Sequence, residues 1–294
     1  MNGLETLGLL IILIFTAAVM SAQKNHPTKE PNAPVAITLE RTPCFGKCPV
    51  YTVAVHEDGT IVYNGERFVE VIGKRISKID PEVVAQMVQV FEDAGYFEWD
   101  KAYDTMTITD GAYVNTLVSR NDETHSIHRY TSDNSAPLAL LFLEYWIDIM
   151  ARTASWTGVP FDISTVWNGK DTPVATLEQT PCNGLCPVYA VALYADGTVV
   201  YMGIASVQHF GVHLFETEPA SIASIPVLAK TIGYFNMGDS YDQVMMTDQS
   251  SFITSVRTTD QFKRITRYSG DPSAPIDLLW LEEAINELAN SLMQ

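Results

Sequence analysis

The chain has 294 residues, 47% of them hydrophobic and 10% aromatic, which is enough apolar material for the cores of two ordinary domains. Its 35 acidic residues outnumber 18 basic ones and give this acidic protein a net charge of -17 at pH 7. Such a charge repels phosphate groups, so the composition argues against nucleic acid and anionic lipid surfaces as partners.

The N-terminal segment contains an apolar run over residues 7–20, followed by the small residues Ser21 and Ala22. A run of this length is typical of a signal peptide, whereas a membrane-spanning helix needs roughly 20 residues. We therefore predict a signal peptide over 1–22, a linker over 23–34 and a secreted or periplasmic product. Glu5 precedes the run and the first basic residue, Lys24, follows it. An uncleaved N-terminal anchor remains the alternative, and membrane contact is expected only through it.

The remainder of the chain is a duplication with a constant offset of 138 residues. Cys44 and Cys182 are related by this offset, as are Gly59 and Gly197. A repeat this long is a domain rather than one unit of a solenoid. We predict repeat domains over 35–152 and 173–294, joined by a linker over 153–172. Trp156 and Trp167 in this linker are expected to pin it against a domain.

Each repeat begins with alternating apolar and polar residues typical of half-buried strands. These strands are predicted over 37–42 and on both sides of the hairpin turn Asp58-Gly59, with a fourth strand over Arg67–Ile72. A helix then begins at Asp80-Pro81 and ends at Gly95, as N-cap and C-terminal signals indicate. In the second repeat Pro226 lies midway along this helix and is predicted to kink or shorten it.

Two further strands and a final helix complete the repeat. The strands are predicted over Tyr113–Arg120 and His125–Thr131, and the helix starts near Ser135 and Pro137. The order ββββ-α-ββ-α predicts an α+β fold of two tandem homologous domains, each an antiparallel sheet with two helices packed on one face. The residues predicted to face inward on the last helix are Leu138, Leu141, Phe142, Tyr145 and Ile149, and in the second copy Leu278, Leu281, Ile285 and Leu288.

The four cysteines form two pairs with C-x3-C spacing. In an exported protein we predict the local disulfides Cys44–Cys48 and Cys182–Cys186, which would fix the shape of each loop. A reducible thiol pair is the alternative, although the spacing differs from C-x-x-C. A zinc site made by all four thiolates is a third hypothesis and needs both loops to meet.

The sequence around these cysteines resembles a known family. The string from Arg41 to Tyr51, RTPCFGKCPVY, with Asp58-Gly59, Tyr63, Gly65 and Gly73-Lys74, is similar to domain of unknown function 6438. The resemblance covers both repeats and implies a bacterial, often exported protein. It implies no catalytic residues, because the family has no assigned activity. The second repeat departs from the pattern, with Gln179 for Arg41 and Val212 for Lys74.

Paired aspartates and an arginine recur in both repeats and are candidate ligand or cation contacts. Aspartates in one loop can bind a hard cation through oxygen, or they can accept backbone hydrogen bonds in turns. An arginine can pair with the aspartates of its own repeat or bind an anionic ligand. The aspartates are Asp104 and Asp110, then Asp242 and Asp248; the arginines are Arg129 and Arg267.

No catalytic motif is recognised in the sequence, so we expect no catalytic residue and no cofactor. The favoured hypothesis is a non-enzymatic binding or scaffolding module at the cell envelope, with an unidentified envelope or extracellular partner. The alternatives are a thiol-disulfide redox protein that uses the C-x3-C pairs and a cation-binding protein that uses the aspartate loops.

Overall fold

The structure, a computed structural model, describes residues 31–105, 110–121, 123–243 and 248–294. The predicted signal peptide over 1–22 lies outside these residues. The first domain has strands β1 (Val35–Arg41), β2 (Val50–His56), β3 (Thr60–Arg67), β4 (Gly73–Lys78), β5 (Ala102–Tyr103), β6 (Tyr113–Arg120) and β7 (Glu123–Tyr130), with helices α1 (Pro81–Asp93) and α2 (Leu138–Ala151). The short helix α3 (Ala154–Thr157) follows. The second domain has β8 (Ala175–Gln179), β9 (Val188–Leu193), β10 (Thr198–Ala205), β11 (Gly211–Glu216), helix α4 (Pro219–Thr231), β12 (Ser240–Tyr241), β13 (Ser251–Arg257), β14 (Phe262–Tyr268) and helix α5 (Ile276–Leu292).

Each domain is built on one mixed sheet, to which the described residues contribute seven strands. The order is β4-β3-β2-β1-β6-β7-β5 in the first domain, and β11-β10-β9-β8-β13-β14-β12 in the second. Neighbouring strands run antiparallel, except that β5 lies parallel to β7 and β12 parallel to β14. The predicted α+β fold of two tandem domains is confirmed. The parallel edge strands β5 and β12 were not predicted. They have two residues each, which is too few to show an alternation of apolar and polar residues in the sequence.

Local signals place the first hairpin and helix as predicted. Gly59 has φ 81°, and a Cβ atom there would lie 2.1 Å from the carbonyl oxygen of Ile79, so the turn requires glycine. The Asp80 carboxylate accepts a 2.9 Å hydrogen bond from the Glu82 nitrogen at the start of α1. Gly95 follows the helix with φ 83°.

The predicted fourth strand was wrong, and so was the predicted shortening of α4; a kink at Pro226 stays a prediction. The fourth strand is β4 rather than Arg67–Ile72, because β3 runs to Arg67 and Phe68 then turns the chain with φ 54°. Pro226 does not shorten α4, which has 13 residues like α1. Burial of Ile222, Ile225 and Ala229 against the sheet holds the helix together despite the missing backbone donor.

The helices of the first domain lie between the two sheets, so the molecule has four layers in the order sheet, helices, sheet, helices. β9 is buried at all six residues, whereas β2 alternates in its central part between buried and half-buried residues. Because a sheet packs on each side of it, helix α2 is buried over a wider part of its surface than a single stripe of residues. The predicted stripe on α2 faces the core but is only part of the buried surface, since Phe142 is fully buried and Leu138, Leu141, Tyr145 and Ile149 are half-buried and pack against the core. The fully buried positions also include Leu140, Leu143, Trp146 and Ile147, and in α5 Leu278, Leu281 and Ile285 are buried as predicted.

The interface between the domains joins α1 and α2 to the second sheet. The indole nitrogen of Trp146 donates a 3.2 Å hydrogen bond to the carbonyl oxygen of Gly203 in β10. Gly211 in β11 lies so close to α1 that a Cβ atom there would be 2.5 Å from a methyl carbon of Val90. Met202 is fully buried on this sheet face, where its counterpart in the first sheet, Asn64, is exposed.

The linker tryptophans differ in their environment. Trp156 is buried and its ring centroid lies 5.0 Å from that of Tyr63, as predicted for an anchor. Trp167 remains 40% exposed. Across the part of the chain that the structure describes, none of the helices combines the length and apolar character needed to cross a membrane.

Candidate functional site

Both predicted disulfides are present. Cys44 is bonded to Cys48 and Cys182 to Cys186, with a Cα–Cα distance of 5.8 Å in each. The zinc hypothesis was wrong, because both bridges are closed and no free thiolate remains to bind a metal. The bridges are consistent with an extracytoplasmic location. Each loop carries an exposed apolar tip: Phe45 is 88% exposed and Leu185 is 92% exposed.

The aspartate loops lie beside the disulfide loops. The main-chain oxygen of Asp110 accepts a 3.2 Å hydrogen bond from the Phe45 nitrogen. In the second domain the Asn183 amide donates a 3.2 Å bond to the Asp248 carboxylate. Asp104 and Asp242 are exposed. Over the described ranges, no cluster of three metal-ligating side chains is found, and cation binding stays a prediction.

A buried aspartate that the sequence analysis did not single out anchors this loop. Asp133 accepts hydrogen bonds from the nitrogen and hydroxyl of Thr105, at 2.7 and 2.8 Å, and from the nitrogen and hydroxyl of Ser135, at 2.8 and 2.6 Å. Burial raises the pKa of Asp133, but the bonds from Ser135 and Thr105 outweigh burial and lower it to about 2. Its counterpart Asp271 accepts from Gln243 and Ser273.

The two arginines are buried beneath the last helix of each domain. The predicted pairing of Arg129 with Asp104 or Asp110 was wrong, since its guanidinium binds Glu144 of α2 through Nε at 2.8 Å and Nη2 at 2.5 Å. Arg267 binds Glu282 of α5 in the same way, at 2.9 and 2.6 Å. Glu144 is 1% exposed and Glu282 is 4% exposed. These pairs tie helix to sheet, and a ligand role for either arginine stays a prediction.

A second polar network, missed as a site in the sequence analysis, forms at the end of β1. The Asp148 carboxylate of α2 accepts hydrogen bonds from Arg41 Nη2 at 2.7 Å, the Tyr51 hydroxyl at 2.7 Å and the Thr153 hydroxyl at 2.8 Å. Arg41 Nε also donates to the Tyr51 hydroxyl at 2.9 Å. The guanidinium carbon of Arg41 lies 5.1 Å from the centre of the Tyr145 ring.

Electrostatics fixes the protonation states of Arg41 and Tyr51 in this network. Burial lowers the pKa of Arg41, but the facing Asp148 carboxylate outweighs it and holds that pKa well above its usual value. Burial, together with the negative Asp148, raises the pKa of Tyr51. Arg41 is therefore a cation and Tyr51 a neutral hydroxyl at neutral pH.

The second domain replaces the charged pair by two amides. Gln179 stands at the position of Arg41 and Asn286 at that of Asp148, while Tyr189 matches Tyr51. The Tyr189 hydroxyl donates a 3.1 Å bond to the Asn286 side-chain oxygen. The paired substitutions could have been found from the sequence, because both charges are lost at the same 138-residue offset.

The charged network borders a cleft of about 940 Å³ between the two domains. One wall is formed by the first domain and α3, with the Tyr145 and Phe161 rings 4.5 Å apart between their centroids. The other wall is formed by the starts and ends of β8, β9 and β10 and by the Cys182–Cys186 loop. Apolar residues on both walls include Pro49, Ile149, Val159, Pro160, Pro181, Val188 and Ile204.

Glu178 of β8 contributes a carboxylate to the second wall. Arg264 Nη2 donates to its carboxylate at 3.3 Å. Burial raises the pKa of Glu178 to about 7, with a further contribution from the negative Asp162, and Arg264 opposes the shift only in part. Near neutral pH, Glu178 can therefore donate or accept a hydrogen bond in the cleft.

Comparison with known proteins identifies the repeated unit. The family model DUF6438, described as a domain of unknown function, matches residues 35–151 and 173–289. The chain belongs to the DUF6438 family. A comparison with curated proteins found no match. In this chain each DUF6438 unit carries its own disulfide and its own buried Arg–Glu pair, whereas the cleft takes its walls from both units and the linker.

Proposed function

We propose that this tandem DUF6438 protein is an exported, non-enzymatic binding module of the cell envelope that holds an amphipathic small molecule in the cleft between its domains. The single observation that carries the proposal is the 940 Å³ cleft with mostly apolar walls and a few convergent polar groups. Ligand sites in proteins typically have volumes of about 300–1,000 Å³ and this kind of lining. The disulfides and the apolar run over 7–20 support export.

The lining favours a ligand with an apolar body. The rings of Tyr145 and Phe161, the prolines and the aliphatic side chains offer little hydrogen bonding, so a polar molecule would lose its water without compensation. An apolar chain or ring system loses water favourably, at about 25 cal/mol per Å² of buried area.

The polar groups around the Arg41–Asp148 pair favour an uncharged head group. The charge of Arg41 is compensated by Asp148 at 2.7 Å, so neither a carboxylate nor an ammonium group would meet a net opposite charge there. A hydroxyl or amide can exchange hydrogen bonds with Thr153, Tyr51 and the titratable Glu178 at no such cost.

The test is a titration of the intact chain with N-phenyl-1-naphthylamine, an uncharged fluorescent apolar probe. We expect saturable binding and displacement by dodecanol, with weaker displacement by dodecanoate and dodecylammonium. Ala154 is an exposed residue of the cleft wall, so Ala154→Trp fills the cleft without disturbing a core. This variant should weaken probe binding by about tenfold or more, which corresponds to about 1.4 kcal/mol.

Ala154→Ser is the matched control and should bind the probe within about twofold of the unchanged protein. The proposal fails if the probe does not saturate, or if Ala154→Trp binds it as tightly as Ala154→Ser. Preference for a charged displacing molecule would contradict the uncharged head group.

A thiol-disulfide activity is the second candidate, because the Cys182–Cys186 bridge lies in the cleft wall. A substrate held in the cleft would then be next to a reducible bond. Incubation with a glutathione redox buffer, alkylation and peptide mapping would test this hypothesis. Opening of Cys182–Cys186 ahead of Cys44–Cys48 would support it, and resistance of both bridges would eliminate it.

A further inference from the structure

In the first domain, residues 155–157 cover aromatic side chains of the sheet, and no counterpart of this segment is found among the described residues of the second domain. Helix α2 ends at Ala151, and the next residue, Arg152, adopts a left-handed conformation with φ 57°. The chain then turns back over the sheet and packs Trp156 against Tyr63, with 5.0 Å between the ring centroids. Tyr63 lies in turn 5.6 Å from Tyr51, so the three tilted rings form a continuous row of aromatic contacts.

Main-chain hydrogen bonds hold this segment on the loop between β3 and β4. The Val71 nitrogen donates to the carbonyl oxygen of Trp156 at 2.8 Å, and the Glu70 nitrogen donates to the carbonyl oxygen of Thr157 at 3.3 Å. Residues 155–157 are thus bound through one aromatic side chain and two adjacent carbonyl groups.

The second domain leaves the corresponding space open. Asn290 stands at the position of Arg152, but α5 continues to Leu292 instead of turning back. Gln294 stands at the position of Trp156. A cavity of about 510 Å³ remains over Tyr189 and Tyr201, whose stacked rings are 5.7 Å apart and match Tyr51 and Tyr63.

The two hydrogen-bond donors of the loop also lack their partners. Gln208 and His209 stand at the positions of Glu70 and Val71. Within residues 31–105, 110–121, 123–243 and 248–294, the main-chain nitrogens of Gln208 and His209 donate to no acceptor. Adjacent free N–H groups beside an aromatic floor are what an added extended segment needs for recognition.

We propose that this cavity of the second domain binds a tryptophan-bearing segment of a partner polypeptide in the arrangement that residues 155–157 adopt on the first domain. The tryptophan stacks on Tyr201, and the carbonyl groups of the tryptophan and the next residue accept hydrogen bonds from His209 and Gln208. The side chains of Gln179, Asn286 and Asn290 make the rim uncharged, so the segment needs no charged residue. This site adjoins the cleft at Gln179, Tyr189 and Ser206 but is a separate cavity.

The chain itself supplies the probe peptide. A capped, fluorescently labelled TASWTGV peptide, which copies residues 153–159, is titrated into the intact protein and followed by fluorescence anisotropy. We expect saturable binding, at least about tenfold weaker for the peptide with alanine in place of tryptophan, since a buried aromatic anchor dominates such interfaces. The amide resonances of Gln208 and His209 should move downfield on peptide binding.

Variants at one exposed position separate this proposal from a non-specific effect. Asn290 is exposed on the rim, so Asn290→Trp fills the cavity without removing a core side chain, and Asn290→Ala leaves it open. Peptide binding should be lost in the first variant and kept in the second, while both retain N-phenyl-1-naphthylamine binding in the cleft. Absence of saturable binding, equal binding of the alanine peptide, or unchanged binding by Asn290→Trp would overturn the proposal.

Discussion

At the scale of single residues, the two domains differ in a pair of positions that change together. Arg41 and Asp148 form a hydrogen-bonded ion pair in the first domain, and amides occupy both positions in the second. A charge buried without its partner costs more than a buried neutral pair, so loss of one charge favours loss of the other. The duplicated fold thus accepts either the ion pair or the two amides, provided that both positions are charged or both are neutral.

A double-mutant cycle tests this coupling. We expect Arg41→Gln and Asp148→Asn each to lower the free energy of unfolding by about 2–4 kcal/mol, because each leaves an unpaired charge in the network. The double variant should cost less than the sum, with a coupling of about 1–3 kcal/mol. Urea denaturation of the four proteins measures these values, and additive effects would contradict the coupling.

Glu178 predicts a pH dependence of stability. Its pKa is raised to about 7 in the folded protein, so the folded state binds this proton more tightly than the unfolded state. This stabilising contribution is complete below the ordinary carboxylate pKa and is lost as the pH rises through 7. We expect the melting temperature to fall between pH 5 and pH 8 by an amount that corresponds to on the order of 1–3 kcal/mol.

Glu178→Gln removes the titrating group. The melting temperature of this variant should therefore fall less between pH 5 and pH 8 than that of the unchanged protein. Thermal unfolding of both proteins is measured across the pH range. The contributions of all other titrating groups to the melting temperature cancel in the difference between the two curves. Parallel curves for the two proteins would show that Glu178 titrates normally.

At the scale of elements, the disulfide loops are short and local. Each bridge joins residues four positions apart, so it removes little freedom from the unfolded chain. The bridge shapes the loop that presents Phe45 or Leu185 and contacts Asp110 or the Asp248 carboxylate. Its main effect is therefore on the loop rather than on the sheet.

The double variant Cys44→Ser/Cys48→Ser should lose less than the roughly 3 kcal/mol expected for a 15-residue disulfide loop. Far-ultraviolet circular dichroism should remain unchanged, and faster amide hydrogen exchange should be confined to residues 42–49 and their contacts at Asp110. A loss of the cooperative transition of the whole domain would contradict a local role. Cys182→Ser/Cys186→Ser is the matched variant in the second domain.

Sequence patterns could predict the elements whose signals are local. Asp58-Gly59, the Asp80 cap and the C-x3-C pairs each lie within a few residues of the structure that they specify. The buried face of α2 could not be read in this way, because a second sheet covers the helix from the other side. Arg129 was assigned the aspartates of the preceding loop as partners, yet Glu144 of α2, which also recurs in the second repeat as Glu282, is the residue that it binds. The cleft could not be predicted either, because it is formed by the packing of two domains and the sequence pattern of one repeat carries no information about that packing.

At the scale of the whole molecule, the second sheet has lost the polar character of its outer face. Met202 and Val212 stand where the first sheet has Asn64 and Lys74, and this apolar face packs on α1 and α2. The packing is close at Gly211, where Val90 leaves no room for a side chain. The core of the first domain therefore extends onto one face of the second sheet, while the second domain keeps its own core on the other face.

The tightness of this contact can be tested by substituting two equivalent glycines, one at the interface and one away from it. Gly73 and Gly211 are equivalent and have positive φ of 81° and 101°, so alanine causes similar backbone strain at both. A Cβ atom at Gly73 meets nothing within 4 Å, whereas one at Gly211 overlaps Val90. We expect Gly211→Ala to cost about 1–3 kcal/mol more than Gly73→Ala, from overpacking at the interface. Urea denaturation measures both, and equal costs would mean that the interface yields without strain.

The layered packing is a head-to-tail contact, in which the helices of one copy meet the sheet of the next. Such a contact has no closing symmetry, and if repeated between separate molecules it would build a filament. Charged and polar residues on both outer faces of the layered structure disfavour such growth. Asn64 and Lys74 make the free sheet face polar, and Glu283 and Glu287 on α5 replace Tyr145 and Ile149 of α2. The duplication therefore places this head-to-tail contact inside one chain, and the polar outer faces disfavour its repetition between separate chains.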